Sequence, residues 1–161
     1  KEEALDMMRH YFKDNPIDQD TRYILEKELS IFLDSVEFRG KLDRIDIKSD
    51  GSIQIIDYKT SKKKKTQKSI SKDIQLPYYF LLLSKSKDDE FQGAVNAARF
   101  EYVRHSEDPS VEVSLGEEDM LQIKDRVKNI SNNVQKDIFT PKKNSICYYC
   151  EFKRLLCPLY K

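Results

Sequence analysis

Between Gly40 and Thr60 the chain reads GKLDRIDIKSDGSIQIIDYKT, with apolar and charged residues alternating on either side of one Asp50-Gly51. A period of two around a turn dipeptide predicts an antiparallel hairpin, and a lone hairpin is not stable, so it must belong to a sheet. The preceding residues, YILEKELSIFL, alternate in the same way. Three strands are therefore expected, over 22–33, 36–47 and 53–60, forming an antiparallel meander.

Alternation along the third of these strands puts Asp57 and Lys59 on one face, with Cα atoms about 6.5 Å apart, and Tyr58 on the other. Whether Asp43 joins them depends on the turn. A two-residue loop, Asp50-Gly51, pairs Asp43 with Tyr58 and sends its side chain to the opposite face. A three-residue loop, Ser49-Asp50-Gly51, pairs Asp43 with Asp57, and its last position needs the positive φ that glycine supplies. The residues are compatible with both. Two carboxylates facing each other at about 5 Å repel unless a positive charge lies between them. Oxygen donors of this kind suit Mg²⁺ or Mn²⁺, and Lys59 would stand ready to orient a water or stabilise developing negative charge. The plainer alternative is an ordinary cross-strand charge cluster on a half-exposed hairpin.

The remaining chain supplies helices and more strands. Leu5, Met8 and Phe12 form a helical stripe that stops at Asn15-Pro16. SKKKKTQK, with Lys62–Lys65 and Lys68, reads as a loop, either simply solvated or available to neutralise phosphates. DIQLPYYFLLLSKS reads as a buried helix starting near Asp73 or Ile74, with Pro77 tolerated in its first turn. GAVNAARFEYVRH and SVEVSL are strand-like. Ser114 and Glu117 are spaced as a capping box ahead of a long amphipathic helix carrying Met120, Ile123, Val127, Ile130 and Val134. The expected class is α/β or α+β: a mixed sheet with an antiparallel meander, flanked by helices.

At 161 residues one domain is expected, spanning 1–161 and ending in a cysteine-rich tail over 141–161. A net charge of +1 assigns any polyanion binding to local clusters. No apolar run reaches the roughly 20 residues of a membrane span, and KEEALDMMRHYF lacks the apolar core of a secretory signal, so a cytoplasmic protein without membrane contact is expected. Lys1 in place of Met, within a helical pattern already under way, suggests a fragment of something longer.

Three segments in order, Gly40-Lys41-Leu42-Asp43-Arg44-Ile45-Asp46, Ile55-Ile56-Asp57-Tyr58-Lys59-Thr60 and Gln75-Leu76-Pro77-Tyr78-Tyr79, resemble the G-x-h-D-R-h-D, h-h-D-Y-K-T and Q-L-x-x-Y motifs of RecB-type nucleases in the PD-(D/E)xK superfamily. The resemblance runs from about Ile24 to the C-terminus. It implies a restriction-endonuclease-like core, Asp43 and Asp57 as metal-binding carboxylates, the Tyr58 carbonyl as a further ligand, and Lys59 as the catalytic lysine. Gln75 and Tyr79, four apart on one helical face, match the third motif beside the active site. Glu28 matches a glutamate that often precedes the first motif strand, or is a solvated strand charge. Many relatives complete the metal shell with a histidine on an N-terminal helix; His10 corresponds to the segment after it and is not assigned.

CYYCEFKRLLCP places Cys147, Cys150 and Cys157 in a C-x2-C-x6-C-P arrangement. Three thiols in a cytosolic chain point to metal or cluster ligation rather than disulfides. The arrangement is similar to the iron–sulfur staple of the AddB C-terminal domain and the CRISPR-associated exonucleases, in which a fourth cysteine lies upstream. A [4Fe-4S] cluster is thus implied ahead of zinc, with its fourth ligand absent from this chain.

The resemblance implies an Mg²⁺- or Mn²⁺-dependent deoxyribonuclease, an exonuclease of DNA repair or recombination acting on single strands or duplex ends, alone or with a helicase domain or subunit. The alternative is a non-cleaving module of degenerate nuclease fold that binds single-stranded DNA or scaffolds a partner.

Overall fold

Two turns of different length set the register of the sheet. A computed structural model describes residues 2–70, 73–91 and 93–160. Strand β1 (Thr21–Leu33) passes into β2 (Val36–Lys48) through Asp34 and Ser35, both at positive φ (50° and 66°), with Leu33 paired to Val36. That is the two-residue turn whose twist matches flanking strands. β2 passes into β3 (Ile53–Lys59) with Lys48 bonded to Ser52, which leaves Ser49, Asp50 and Gly51 as a three-residue loop. Gly51 adopts φ +80°, its N–H donates to Lys48 O at 2.9 Å, and Lys48 N–H donates to Ser52 O at 2.9 Å.

The sheet has five strands in the order β1-β2-β3-β4-β5. After β3 the chain forms a short helix α2 (Gln67–Ile70) and then α3 (Gln75–Lys85), and returns as β4 (Val95–Tyr102) parallel to β3. β5 (Ser110–Val113) closes the sheet antiparallel to β4. β3, flanked on both edges, carries Ile55 and Ile56 at 0% exposure, as a central strand covered on both faces requires.

α3 lies across the sheet because Leu76, Leu81, Leu82 and Leu83 are all but fully buried, each such side chain worth about 1.5–3 kcal/mol in transfer terms. It comes close at Gly40, where a Cβ would stand 2.7 Å from Leu82 Cδ1. The Tyr78 ring stacks on Phe38 with centroids 6.1 Å apart, and its hydroxyl donates to Arg39 O at 3.0 Å. Helix α1 (Glu2–Asp14) buries no side chain; Leu5, Met8 and Phe12 remain 52–59% exposed. It is joined to the sheet through Tyr11, which shares a 2.8 Å hydrogen bond with the Tyr58 hydroxyl and accepts from Arg44 Nη1 at 2.9 Å.

Helix α4 (Glu117–Gln135) starts later than its predicted cap. Gly116 precedes the first turn and its N–H donates to Asp119 Oδ2 at 2.9 Å, so the reciprocal contact of a capping box comes from Asp119 rather than from Glu117. The chain divides within α4 into two compact units, 1–125 and 126–161. In the first, Ile123 is the buried member of the predicted stripe. In the second, the rest of the helix is followed by three short 3-10 turns, Ser145–Tyr148, Glu151–Arg154 and Pro158–Tyr160, and none of residues 126–160 is buried. No helix among the described residues is long and apolar enough to cross a membrane.

Candidate active site

The three-residue turn decides where Asp43 lies. Arg44 pairs with Ile56, Ile45 with Ile55, Asp46 with Gln54 and Ile47 with Ile53, and one more step of this register sets Asp43 across from Asp57. Of the two loops compatible with the sequence, the odd one is present. The ladder stops there, and the Asp43 side chain continues it: Oδ2 accepts the Tyr58 N–H at 2.9 Å.

Asp57 is 2% exposed, on a strand with neighbours at both edges. Its Oδ1 accepts from Gln75 Nε2 at 2.6 Å, while Oδ2 faces the Lys59 ammonium as an ion pair but has no aligned hydrogen-bond donor. Burial pushes the Asp57 carboxyl above its ordinary range; Lys59 works against that shift, and the charges of Asp43 and Asp73 add to it. A buried carboxylate whose second oxygen has only the Lys59 ion pair, next to a second carboxylate, gains stability from a further cation.

Gln75 comes from the first turn of α3 and ties the site together. Its amide nitrogen donates to Asp57 Oδ1 and, at 3.2 Å, to the Tyr79 hydroxyl; its oxygen accepts from Lys59 Nζ at 2.8 Å. Each amide atom has the partner its chemistry demands. Lys59 Nζ also stands 5.0 Å from the centroid of the Phe100 ring on the neighbouring strand. Asp43, Asp57, Lys59, Gln75 and Tyr79, taken from three distant segments of sequence, thus lie in one connected neighbourhood.

Glu28 is not drawn into this cluster. It is exposed and paired across from Lys41, and the β1 position in register with Asp43 is Glu26, a residue at φ +54° that forms an ion pair with Lys41. Among the described residues no group of three or more His, Cys, Asp or Glu side chains could hold a metal ion. The site offers two carboxylates, Asp43 and Asp57. That set fits Mg²⁺ or Mn²⁺, which take one or two carboxylates and fill the remaining positions with water and phosphate oxygens.

Nothing among the described residues supports the cluster that the cysteine spacing implies. Cys147 and Cys157 are partly buried, Cys150 is exposed, and all three are free thiols. They share the surroundings of Tyr160, whose hydroxyl is raised above its ordinary pKa by lost hydration first and then by Cys147, with Cys157 and Cys150 adding. Three thiols are one short of a tetrahedral zinc site or a [4Fe-4S] cluster, and these three are not gathered as ligands. The residues present do not fit either group.

Sequence reasoning missed two features. Asp73 Oδ1 accepts the Gln75 N–H at 2.8 Å and its other oxygen forms an ion pair with Lys65. The sequence puts Asp73 at the start of this helix, where an acidic residue is favoured, but does not tell that its carboxylate holds both the Gln75 N–H and Lys65. On β2, Arg44 grips Asp46 through Nε (2.5 Å) and Nη2 (2.7 Å) and donates to Tyr58 through Nη1 (3.1 Å). Burial opposes the charge of this guanidinium, yet Asp46 and Tyr58 hold it above its ordinary range. The motif arginine thus fixes Tyr58 from the side of the sheet that carries Tyr11.

The sequence model of the PD-(D/E)XK nuclease superfamily matches residues 1–158. No curated protein matches the chain. Among solved structures, the one titled "Crystal structure of SSO0001" is similar with a TM-score of 0.52 and 20% identity over 98% of this chain and 70% of that one, a likeness of fold. With nearly its whole length matched by the family, the chain belongs to the PD-(D/E)XK nuclease superfamily.

Proposed function

We propose that this chain is a RecB-type deoxyribonuclease that hydrolyses phosphodiester bonds with Mg²⁺ or Mn²⁺. Superfamily membership gives the general activity, a metal-dependent nuclease acting on DNA. The observation that carries the residue assignment is the Gln75 amide, which holds the buried Asp57 carboxylate and the Lys59 ammonium at fixed positions, at 2.6 and 2.8 Å.

In this reading Asp43 and Asp57 hold the cation together with the Tyr58 carbonyl. A bound divalent cation polarises a phosphate and acidifies a water. The chain's own groups do the rest. Lys59 Nζ, held by Gln75 Oε1, donates a hydrogen bond to the attacking water or to the phosphate oxygen that gains charge. Gln75 keeps the Lys59 donor and the Asp57 acceptor in register as the strand enters. Tyr79 accepts from Gln75, which leaves its own hydroxyl proton to be offered to an oxygen of the strand. The exonucleolytic mode, a setting in repair or recombination, and association with a helicase rest on the motif resemblance alone.

The test is cleavage of end-labelled single- and double-stranded oligonucleotides by the purified chain, with Mg²⁺, with Mn²⁺ and with EDTA. Lys59→Ala should reduce metal-dependent cleavage by about 10²–10³-fold while the far-UV circular dichroism at the assay temperature stays that of the parent. A folded Lys59→Ala protein that cleaves at the parental rate would overturn the assignment. Salt-sensitive DNA binding with no cleavage in either metal would favour the non-cleaving module instead.

A further inference from the structure

The lysine run after β3 is not uniform. Lys62 and Lys63 are exposed, and Lys64 is turned away from the site to Asp108, donating to its backbone oxygen at 2.6 Å and pairing with its carboxylate at 2.5 Å. Lys65 is fixed at both ends. Its N–H donates to the hydroxyl of the buried Tyr102 at 3.2 Å, and its ammonium forms an ion pair with Asp73. That ammonium lies 5.3 Å from the centroid of Phe100, the same ring that Lys59 Nζ stands over at 5.0 Å. Asp73, in turn, holds the backbone N–H of Gln75, the residue bridging Asp57 and Lys59. The Lys65 side chain nevertheless remains 43% exposed, so a strand can reach it.

We infer that Lys65 is a second lysine of this site and binds the phosphate next to the scissile one on the substrate strand, with Asp73 holding its side chain in place before the strand arrives. The inference rests on the nuclease reading of the site. A loop lysine free in solution loses rotamer entropy on meeting a phosphate; one already placed by an ion pair and an aromatic face loses less. Lys59 and Lys65 share one ring, so a strand whose reacting phosphate lies at Lys59 brings a neighbouring phosphate past Lys65. A lysine used in this way recognises charge without reading sequence.

The experiment compares the parent with Lys65→Ala, Lys65→Arg and Asp73→Asn on oligonucleotides that carry one uncharged methylphosphonate immediately 5′ or 3′ of the mapped cleavage point. Lys65→Ala should weaken cleavage of the all-phosphate strand about ten- to a hundredfold, the size of a lost hydrogen bond to a charged group, and Lys65→Arg should recover most of it. At one of the two flanking positions the methylphosphonate should slow the parent by a similar factor and slow Lys65→Ala no further, because the partner is already gone. Asp73→Asn should keep the sensitivity of the parent to that linkage. Penalties that multiply at both positions would overturn the inference, as would a Lys65→Ala protein indistinguishable from the parent. If Lys59→Ala abolishes cleavage and Lys65→Ala does not alter it, the nuclease reading stands and this inference alone fails.

Discussion

The β2–β3 hairpin and the cysteine-bearing residues 141–160 are each marked by a short motif, yet only the hairpin gathers its marked residues into a site. On the hairpin the backbone does the gathering. Strand pairing has a period of two, the turn fixes the register, and buried Ile45, Ile53, Ile55 and Ile56 hold the pair against a core. In 141–160 Cys147 lies within the first 3-10 turn while Cys150 and Cys157 immediately precede the second and third, and Ile146, Tyr148, Tyr149, Leu155 and Leu156 are all 67–81% exposed. There is no core to hold one thiol against another. Spacing in a sequence becomes geometry only where packing enforces it.

That comparison is tested most severely at Gln75, which ties Asp57 and Lys59 of the hairpin to α3. Gln75→Ala leaves Asp57 Oδ1 and Lys59 Nζ without their shared partner while removing no core side chain. Cleavage should fall by about 10²-fold with the melting temperature within a few degrees of the parent, measured by single-turnover assay and calorimetry. A fall no larger than the assay error would mean that the strand alone positions the pair.

The next largest effect concerns the packing that brings α3 to the sheet. Gly40→Ala puts a methyl 2.7 Å from Leu82 Cδ1 and 3.4 Å from the rings of Tyr78 and Tyr79, and Leu82 is 0% exposed. Forced repacking of this kind costs about 1–3 kcal/mol, and α3 should be displaced from the hairpin it serves. Urea unfolding should show the loss of stability, accompanied by a drop in kcat. Unchanged stability would show that Leu82 has room to turn aside.

How much of this was readable beforehand follows the same division. The strands read at 22–33, 36–47 and 53–60 are observed as Thr21–Leu33, Val36–Lys48 and Ile53–Lys59, because alternation and turn residues are local. The parallel pairing of β3 with β4 was not read, since an alternating strand does not specify its neighbour. The helix carrying Gln75 was recognised from its apolar density with a start near Asp73 or Ile74, but that the Asp73 side chain holds its first turn depends on side-chain direction, which the pattern does not specify. Lys65 was hidden inside a lysine run for the same reason: what sorts it from Lys62 and Lys63 is Phe100, thirty-five positions further along the chain and brought close only by the parallel crossover.

A smaller effect isolates the charge in the hairpin. The Asp57 carboxyl is raised by burial, so the folded state holds its proton more tightly than the unfolded chain does. The resulting stabilisation is present below the ordinary aspartate pKa of about 4 and is lost as pH rises through the folded-state value. Asp57→Asn retains an acceptor for Gln75 and carries no charge. Without divalent cations the variant should melt above the parent at pH 7, by about 2–4 °C for each kcal/mol recovered, and the gap should close as pH falls towards 4. Adding Mg²⁺ should raise the parent and not the variant. A variant that melts lower at every pH would mean that the Lys59 pair outweighs the burial of the carboxylate.

The smallest effect is expected in the tail. Replacing Cys147, Cys150 and Cys157 together by serine removes three thiols, none of them buried and none in a disulfide. Substitutions of this kind away from packed features stay within about 0.5 kcal/mol, so the melting temperature should move by no more than a degree or two and the cleavage rate by less than twofold. The measurement that gives the result its meaning is elemental analysis of the parent, purified without oxygen and without chelators. If the parent carries no zinc or iron and the triple variant behaves like it, the cysteine motif is inert in this chain. If the parent carries stoichiometric metal and the variant loses both metal and stability, a ligand from elsewhere completes the set, and the contrast between the ordered hairpin and the unpacked tail describes only the metal-free protein. The two outcomes differ in the binding free energy of a metal that can be the folding free energy of a segment too small to form a core.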